Sequence, residues 1–97
     1  MKIESYEMSD NEVLMALRMF NDEDWDDGEF HLVCVESIWE EGCELSEFIQ
    51  KNSNSEISHD ELRKAEMWVR EFDNKWLVYV LYKKGEVCGL IAFSDWN

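Results

Sequence analysis

Carboxylates are the side chains of this protein with the clearest chemical potential, and they are concentrated in one stretch. From Asn21 to Glu47 the sequence reads NDEDWDDGEFHLVCVESIWEEGCELSE, with eleven aspartates and glutamates and no lysine or arginine. Such a surface can bind a metal cation or a positively charged protein. Two tryptophans, Trp25 and Trp39, lie within the stretch. Aromatic side chains of this kind often anchor protein interfaces.

The segment that begins at Asp22 has part of the pattern of a calcium-binding loop. Asp22, Asp24 and Asp26 have the spacing of the first three ligands of an EF-hand. The sixth position is Asp27, where that loop needs glycine, and the twelfth is Val33, where it needs a bidentate glutamate. We therefore expect no specific calcium site.

Histidines and cysteines are too scattered along the sequence to predict a zinc site. His31 and Cys34 are the one pair with ligand spacing, whereas structural zinc sites use two such pairs. Three cysteines without a secretory signal indicate reduced thiols in a cytoplasmic protein, and no apolar run approaches the roughly 20 residues that cross a bilayer. The four glycines form no phosphate-binding loop. The sequence thus predicts no metal, no cofactor, no catalytic residue and no membrane contact.

Negative charge is segregated to one half of the chain. Residues 1–50 hold fifteen acidic and two basic residues, a net charge of −13, whereas residues 51–97 hold eight acidic and seven basic residues, a net charge of −1. Dispersed charge would serve solubility equally well, and like charges at helical spacing each destabilise a helix by about 0.2–0.5 kcal/mol. The segregation therefore favours a binding role over simple solubility.

A basic protein that handles nucleic acid is the natural target of such a surface, because a row of carboxylates can imitate a row of phosphates. We predict an inhibitor that blocks a nuclease or a nucleic-acid-binding complex and does not bind nucleic acid itself. It is similar in kind to the phage anti-restriction and anti-CRISPR proteins that mimic DNA. An immunity protein that neutralises one cognate nuclease toxin is the close alternative. The predicted partner-binding residues are Asp22, Glu23, Asp24, Trp25, Asp26, Asp27, Glu29, Glu36, Glu40, Glu41, Glu44 and Glu47.

Two segments with helical periodicity begin at a recognisable N-terminal signal. Ser9 with Glu12 fits a capping box, and the apolar stripe that follows predicts a helix over about residues 10–21. The same signal begins at Ser58, and the pattern after it predicts a helix over about residues 59–73. Residues 1–8 are predicted to form a short edge strand with Ile3 inward.

The middle of the chain is harder to assign. Residues 30–39 suit either a buried strand or a helix, and we favour a helix because its face would then continue through Glu36 and Glu40 toward Glu44 and Glu47. Gly42 is expected to end that helix, a further amphipathic turn follows, and residues 51–55 have a linker-like composition.

The end of the chain predicts an antiparallel hairpin. Residues 75–82 and 86–93 are two β-branched and aromatic runs joined by a short turn that contains Gly85. Together the elements predict one acidic globular α+β domain over residues 1–97, with three to four short helices packed on a small antiparallel sheet that ends in this C-terminal β-hairpin. Both hairpin faces are apolar, so a homodimer formed through the hairpin is one way to cover them.

The hairpin segment also carries a family resemblance. The sequence from Lys75 to Phe93, KWLVYVLYKKGEVCGLIAF, resembles the strand-turn-strand of GNAT-type acyltransferases, and a strand and a helix precede it in the same order. The resemblance implies a reduced acyltransferase-like domain as a further alternative. It ends before the glycine-rich loop with which that family binds acyl-CoA, so it implies no cofactor residue.

Overall fold

Four helices and four strands follow one another in residues 2–21 and 29–94, the part of the chain that the computed structural model describes. The strands are β1 (Ile3–Tyr6), β2 (Phe30–Cys34), β3 (Leu77–Lys83) and β4 (Glu86–Phe93). The helices are α1 (Asp10–Asn21), α2 (Val35–Glu40), α3 (Leu45–Lys51) and α4 (His59–Phe72). The predicted α+β class and the C-terminal hairpin of β3 and β4 are confirmed.

All four strands belong to one antiparallel sheet with the order β1-β4-β3-β2. The hairpin therefore forms the centre of the sheet, and the two short strands form its edges. Gly85 takes a positive φ of 80° in the turn between β3 and β4, a conformation that glycine adopts without a steric penalty. The predicted N-terminal edge strand is confirmed, since Ile3 pairs with Phe93 at the outer side of β4.

Helices cover both faces of the sheet. On one face, Ala16 of α1 packs with Leu81, Ile91 and Phe93, which are all fully buried. On the other face, α2, α3 and α4 contribute to a second core cluster with the sheet, whose buried members are Val35, Ile38, Leu45, Ile49, Ala65, Val69, Val78, Val80, Leu90 and Ala92. The apolar hairpin faces are thus covered within the chain. The homodimer itself stays a prediction.

The two capped helices form where the sequence predicts them. At the start of α1 the backbone N–H of Ser9 donates to Glu12 Oε1 over 2.9 Å, and the backbone N–H of Glu12 donates to Ser9 Oγ over 3.3 Å. At the start of α4 the backbone N–H of Glu61 donates to Ser58 Oγ over 3.3 Å. Each serine satisfies a backbone donor that has no partner within its helix.

The preference for a helix over residues 30–39 is wrong in its first half. Residues 30–34 form β2, which pairs with residues 79–83 of β3, and the helix begins only at Val35. Leu32 packs toward the α1 face and Val33 toward the opposite face, which an extended strand permits because its successive side chains alternate.

No helix in residues 2–21 and 29–94 has the length and apolar character needed to cross a bilayer.

Candidate partner-binding surface

Five of the predicted partner-binding residues lie on one structural unit, which we call the α2–α3 corner (residues 35–51). Glu36 lies in the first turn of α2, and Glu40 is its last residue. Glu41 and Glu44 flank the turn between the helices, and Glu47 lies in the first turn of α3. All five side chains are exposed. The corner therefore presents a dense group of carboxylates to solvent.

Apolar side chains hold this corner against the sheet. Val35, Ile38, Leu45 and Ile49 are at most 6% exposed, and they point into the same core cluster. Because these four residues fill the inner side of both short helices, the polar residues between them face outward. The packing of these four apolar residues therefore determines that the glutamates face solvent.

Gly42 makes the sharp turn that the corner needs. Its φ is +82°, and its backbone N–H donates to the carbonyl of Trp39 over 2.9 Å. The N–H of Cys43 donates to the carbonyl of Ile38 over 3.2 Å, so two carbonyls at the end of α2 are satisfied. The predicted continuous row of Glu36, Glu40, Glu44 and Glu47 is consequently divided between two helices.

A contact from α4 fixes the start of α3. Glu44 occupies the N-cap position of α3, but its side chain makes no capping hydrogen bond. The carboxylate of Glu66 instead accepts a hydrogen bond from the backbone N–H of Ser46 over 3.3 Å. The Cys43 thiol donates to the Glu44 carbonyl oxygen over 3.4 Å. Because Glu66 accepts from the start of α3, the Glu44 carboxylate makes no capping bond and is exposed to solvent.

The corner is predominantly negative, since its five glutamates accompany one basic residue, Lys51 in the last turn of α3, and Arg70 of α4 borders the same depression as Glu44. Among the residues that the structure describes, the one ion pair joins Lys83 and Glu86 over 3.5 Å, so none of the five glutamates forms one. Glu40 and Glu41 also lie at the C-terminal end of α2, where the last turn contains no basic residue. Negative charge at that end opposes the helix dipole. These two carboxylates therefore destabilise α2 by about 0.3–1 kcal/mol each.

Trp39 is 39% exposed, and among the large apolar side chains of the described residues Leu14 at 55% and Met67 at 60% are more exposed. Trp39 borders a depression of about 220 Å³ together with Glu44, Leu45, Glu66 and Arg70. The predicted partner-binding set includes Trp25, which lies outside the described residues, and does not include Trp39. The exposure of Trp39 depends on how the short α2 lies on the sheet, which no local pattern encodes.

The remaining predicted partner-binding residues are not part of this corner. Asp22, Glu23, Asp24, Trp25, Asp26 and Asp27 lie outside the described residues. Glu29 is exposed immediately before β2, whereas Glu36 follows the other end of that strand. A five-residue strand spans roughly 17 Å, so Glu29 and the corner flank opposite ends of β2.

A second depression, of about 320 Å³, lies between α4 and the sheet, and no sequence pattern predicted it. It is lined by residues that include Tyr6, Glu7, Glu61, Lys64 and Cys88. Burial, a hydrogen bond to Glu12 and the charges of Glu12 and Glu86 raise the pKa of the Cys88 thiol to about 12. A thiol with that pKa is a poor nucleophile at neutral pH.

No three histidine, cysteine, aspartate or glutamate side chains of the described chain are grouped to hold a metal ion.

Comparisons of the chain with protein-family models, with curated proteins and with solved structures each gave no match.

Proposed function

We propose that the protein binds a basic, nucleic-acid-handling protein through its acidic surface and blocks that protein's contact with nucleic acid. The observation that carries this proposal is the group of five exposed glutamates on the α2–α3 corner, which form no ion pair within the described chain and share the corner with the partly exposed Trp39. Arginine and lysine side chains that normally bind phosphates would bind these carboxylates instead. The protein would then occupy the groove that nucleic acid needs.

The Trp39 side chain and the negative charge of the protein contribute to different steps of this interaction. Long-range attraction between a chain of net charge −14 and a basic partner accelerates the encounter and weakens as salt screens it. Trp39 adds apolar contact after docking, which slows dissociation. The high negative charge of the protein also disfavours binding to nucleic acid directly.

The partner can be isolated from a host lysate at low salt, eluted with a salt gradient and identified by mass spectrometry. Association kinetics are then compared for two triple variants with the same change in net charge. The corner variant carries Glu40→Lys, Glu41→Lys and Glu44→Lys, and the control variant carries Glu4→Lys, Glu56→Lys and Glu71→Lys at exposed positions elsewhere.

We expect the corner variant to lower the association rate constant at least tenfold and the control variant to lower it much less. Trp39→Ala should mainly raise the dissociation rate constant. Binding that is insensitive to salt and to the corner variant contradicts the proposal. Inhibition of one nuclease alone, with no effect on unrelated nucleases, identifies the immunity-protein form of the same function.

The acyltransferase-like alternative requires a pocket for an acyl-CoA. The depression of about 320 Å³ beside β4 is large enough for part of such a ligand, but Glu7 and Glu61 line it and Lys64 is its one basic residue. Two carboxylates repel the phosphates of an anionic cofactor. Titration calorimetry with acetyl-CoA tests this alternative, and we expect no heat of binding.

A further inference from the structure

The depression between α4 and the sheet, which we call the α4 groove, has an apolar floor. Its volume is about 320 Å³, and its apolar lining comes from Ile49, Ile57, Leu62, Ala65, Val87 and Leu90. Ile49, Ala65 and Leu90 are buried, so they form the base of a cavity and not an exposed patch. At about 30 Å³ for each non-hydrogen atom, the volume of a water molecule in the liquid, the groove holds on the order of ten such atoms. A small organic molecule therefore fits it.

Charged side chains line the solvent side of the α4 groove. Glu7, Glu61 and Lys64 are exposed, and Tyr6 beside them is half-buried. None of the three charged side chains forms an ion pair within the described chain. Two carboxylates and one ammonium group give this rim a net charge of −1, and the whole chain, at −14, adds a field of the same sign. The groove is therefore complementary to a cation.

Tyr6 lies close to both carboxylates of the rim. Burial raises the pKa of the Tyr6 hydroxyl, and the negative charges of Glu7 and Glu61 raise it further. The Tyr6 ring also packs against the ring of Trp68, with 5.8 Å between the ring centroids, which limits its movement. The face of a tyrosine ring attracts an organic cation. One ammonium group can thus contact the ring and the two carboxylates together.

A close backbone approach holds Tyr6 and Glu7 at the groove. A Cβ atom on Gly89 would lie 2.5 Å from the carbonyl oxygen of Tyr6 and 3.1 Å from that of Glu7, so the chain crosses β4 here only because Gly89 has no side chain. Glu7 takes a positive φ of 61°, which is uncommon for a residue other than glycine. The rim is therefore fixed by the backbone on one side and by α4, which carries Glu61, on the other.

We propose that the α4 groove binds a small primary amine with an apolar body. The ammonium group contacts Glu7, Glu61 and the Tyr6 ring, and the apolar body lies on the floor of the groove. This site is independent of the proposed function, because none of the five glutamates of the α2–α3 corner lines the groove. An added carboxylate on the ligand would be repelled by the net negative rim, so the inference excludes amino acids.

Binding of 2-phenylethylamine, followed by nuclear magnetic resonance of the backbone amides, tests the proposal. Three related compounds separate its parts. Methylamine keeps the charge without the apolar body, 2-phenylethanol keeps the body without the charge, and phenylalanine adds a carboxylate. The amides of Leu62, Ala65 and Leu90 report on the groove, and those of α1 on the other face of the sheet are the internal control.

Two double variants with the same change in net charge test the carboxylates. The groove variant carries Glu7→Gln and Glu61→Gln, and the control variant carries Glu41→Gln and Glu71→Gln at exposed positions that do not line the groove. All four changes are at exposed side chains, so both proteins should keep the amide spectrum of the folded wild type. We expect the groove variant to bind 2-phenylethylamine at least threefold more weakly and the control variant to change its affinity less than twofold.

We expect 2-phenylethylamine to shift the groove amides and to bind roughly tenfold more tightly than methylamine and roughly threefold more tightly than 2-phenylethanol or phenylalanine. Unshifted groove amides overturn the inference, and so does equal affinity for 2-phenylethanol, which would show that the charge is not recognised. Tighter binding of phenylalanine would show that Lys64 holds a ligand carboxylate and that the class of ligand is wrong. An equal loss of affinity in the two variants would assign the attraction to net charge instead of to Glu7 and Glu61.

Discussion

The carboxylate of Glu66 in α4 accepts a hydrogen bond from the backbone N–H of Ser46, 3.3 Å away at the start of α3. The two residues are twenty positions apart in the sequence, and the contact joins the α2–α3 corner to α4, the longest helix among the described residues. It performs the role of a helix cap from a distance, since the Glu44 side chain at the N-cap position makes no such bond. The position of the corner on the sheet thus depends on a residue outside the acidic stretch.

Replacing Glu66 should therefore loosen α3. We expect Glu66→Ala to lower the free energy of unfolding by about 1–2 kcal/mol, because a partly buried N–H loses a charged acceptor. Glu66→Gln retains an acceptor oxygen without the charge and should cost less. Urea denaturation followed by circular dichroism measures both. Glu71→Ala makes the same change at an exposed position of α4, and an equal loss there would contradict the capping role.

Two glutamates of α2 should have opposite effects on stability. Glu36 lies in the first turn, where a carboxylate interacts favourably with the helix dipole, whereas Glu40 lies at the other end. We expect Glu40→Gln to raise the free energy of unfolding by a few tenths of a kcal/mol and Glu36→Gln to lower it by a similar amount. Thermal melting at low salt detects the difference. Both changes should weaken binding of the basic partner, so that Glu40→Gln stabilises the protein and impairs its function.

Cys88 should make stability depend on pH in the alkaline range. Its pKa is about 12 in the folded protein against an ordinary value of 9.0, because the thiol is buried and Glu12 is beside it. Below pH 9 the thiol is protonated in both states and has no effect. Between about pH 9 and 12 the unfolded chain loses this proton first, so the folded state becomes less stable as pH rises.

The comparison of wild type with Cys88→Ala isolates this contribution. Burial and the charges of Glu7 and Glu61 also raise the pKa of Tyr6, which adds a loss of the same sign in both proteins. We expect the free energy of unfolding to fall less between pH 8 and pH 10.5 in the variant, as measured with urea under reducing conditions. Equal slopes in the two proteins would show that Cys88 does not titrate in this window.

Gly89 should not tolerate a side chain. A Cβ atom there would lie 2.5 Å from the carbonyl oxygen of Tyr6, 3.1 Å from that of Glu7, and against Cγ of Met8. We expect Gly89→Ala to lower the free energy of unfolding by about 1–3 kcal/mol, because the segment after β1 must move. Adding Met8→Ala should not restore stability, since the backbone oxygens remain. Gly42→Ala is the control. A Cβ atom at Gly42 would have no atom within 4 Å, so this variant measures only the strain of a positive φ.

The elements that the sequence located correctly are those with local signals. α1 and α4 begin at capping serines, and their apolar stripes have helical periodicity, so neighbours in sequence specify them. The hairpin of β3 and β4 likewise follows from two apolar runs and one turn. β2 has no such signal. The run FHLVC is compatible with a strand or a helix. Its strand conformation depends on pairing with residues 79–83, which lie 45 to 53 positions further along the chain.

The sequence by itself determined the α+β class, the boundaries of the capped helices, the central hairpin and the concentration of eleven carboxylates in one stretch. These features follow from composition, from local hydrogen bonds and from the period of apolar residues. Only the tertiary structure decided that residues 30–34 form a strand beside β3 at the end of the strand order, and that Trp39 is left partly exposed. The physical reason is that exposure and strand order depend on contacts between residues far apart in the chain, and no local pattern encodes them.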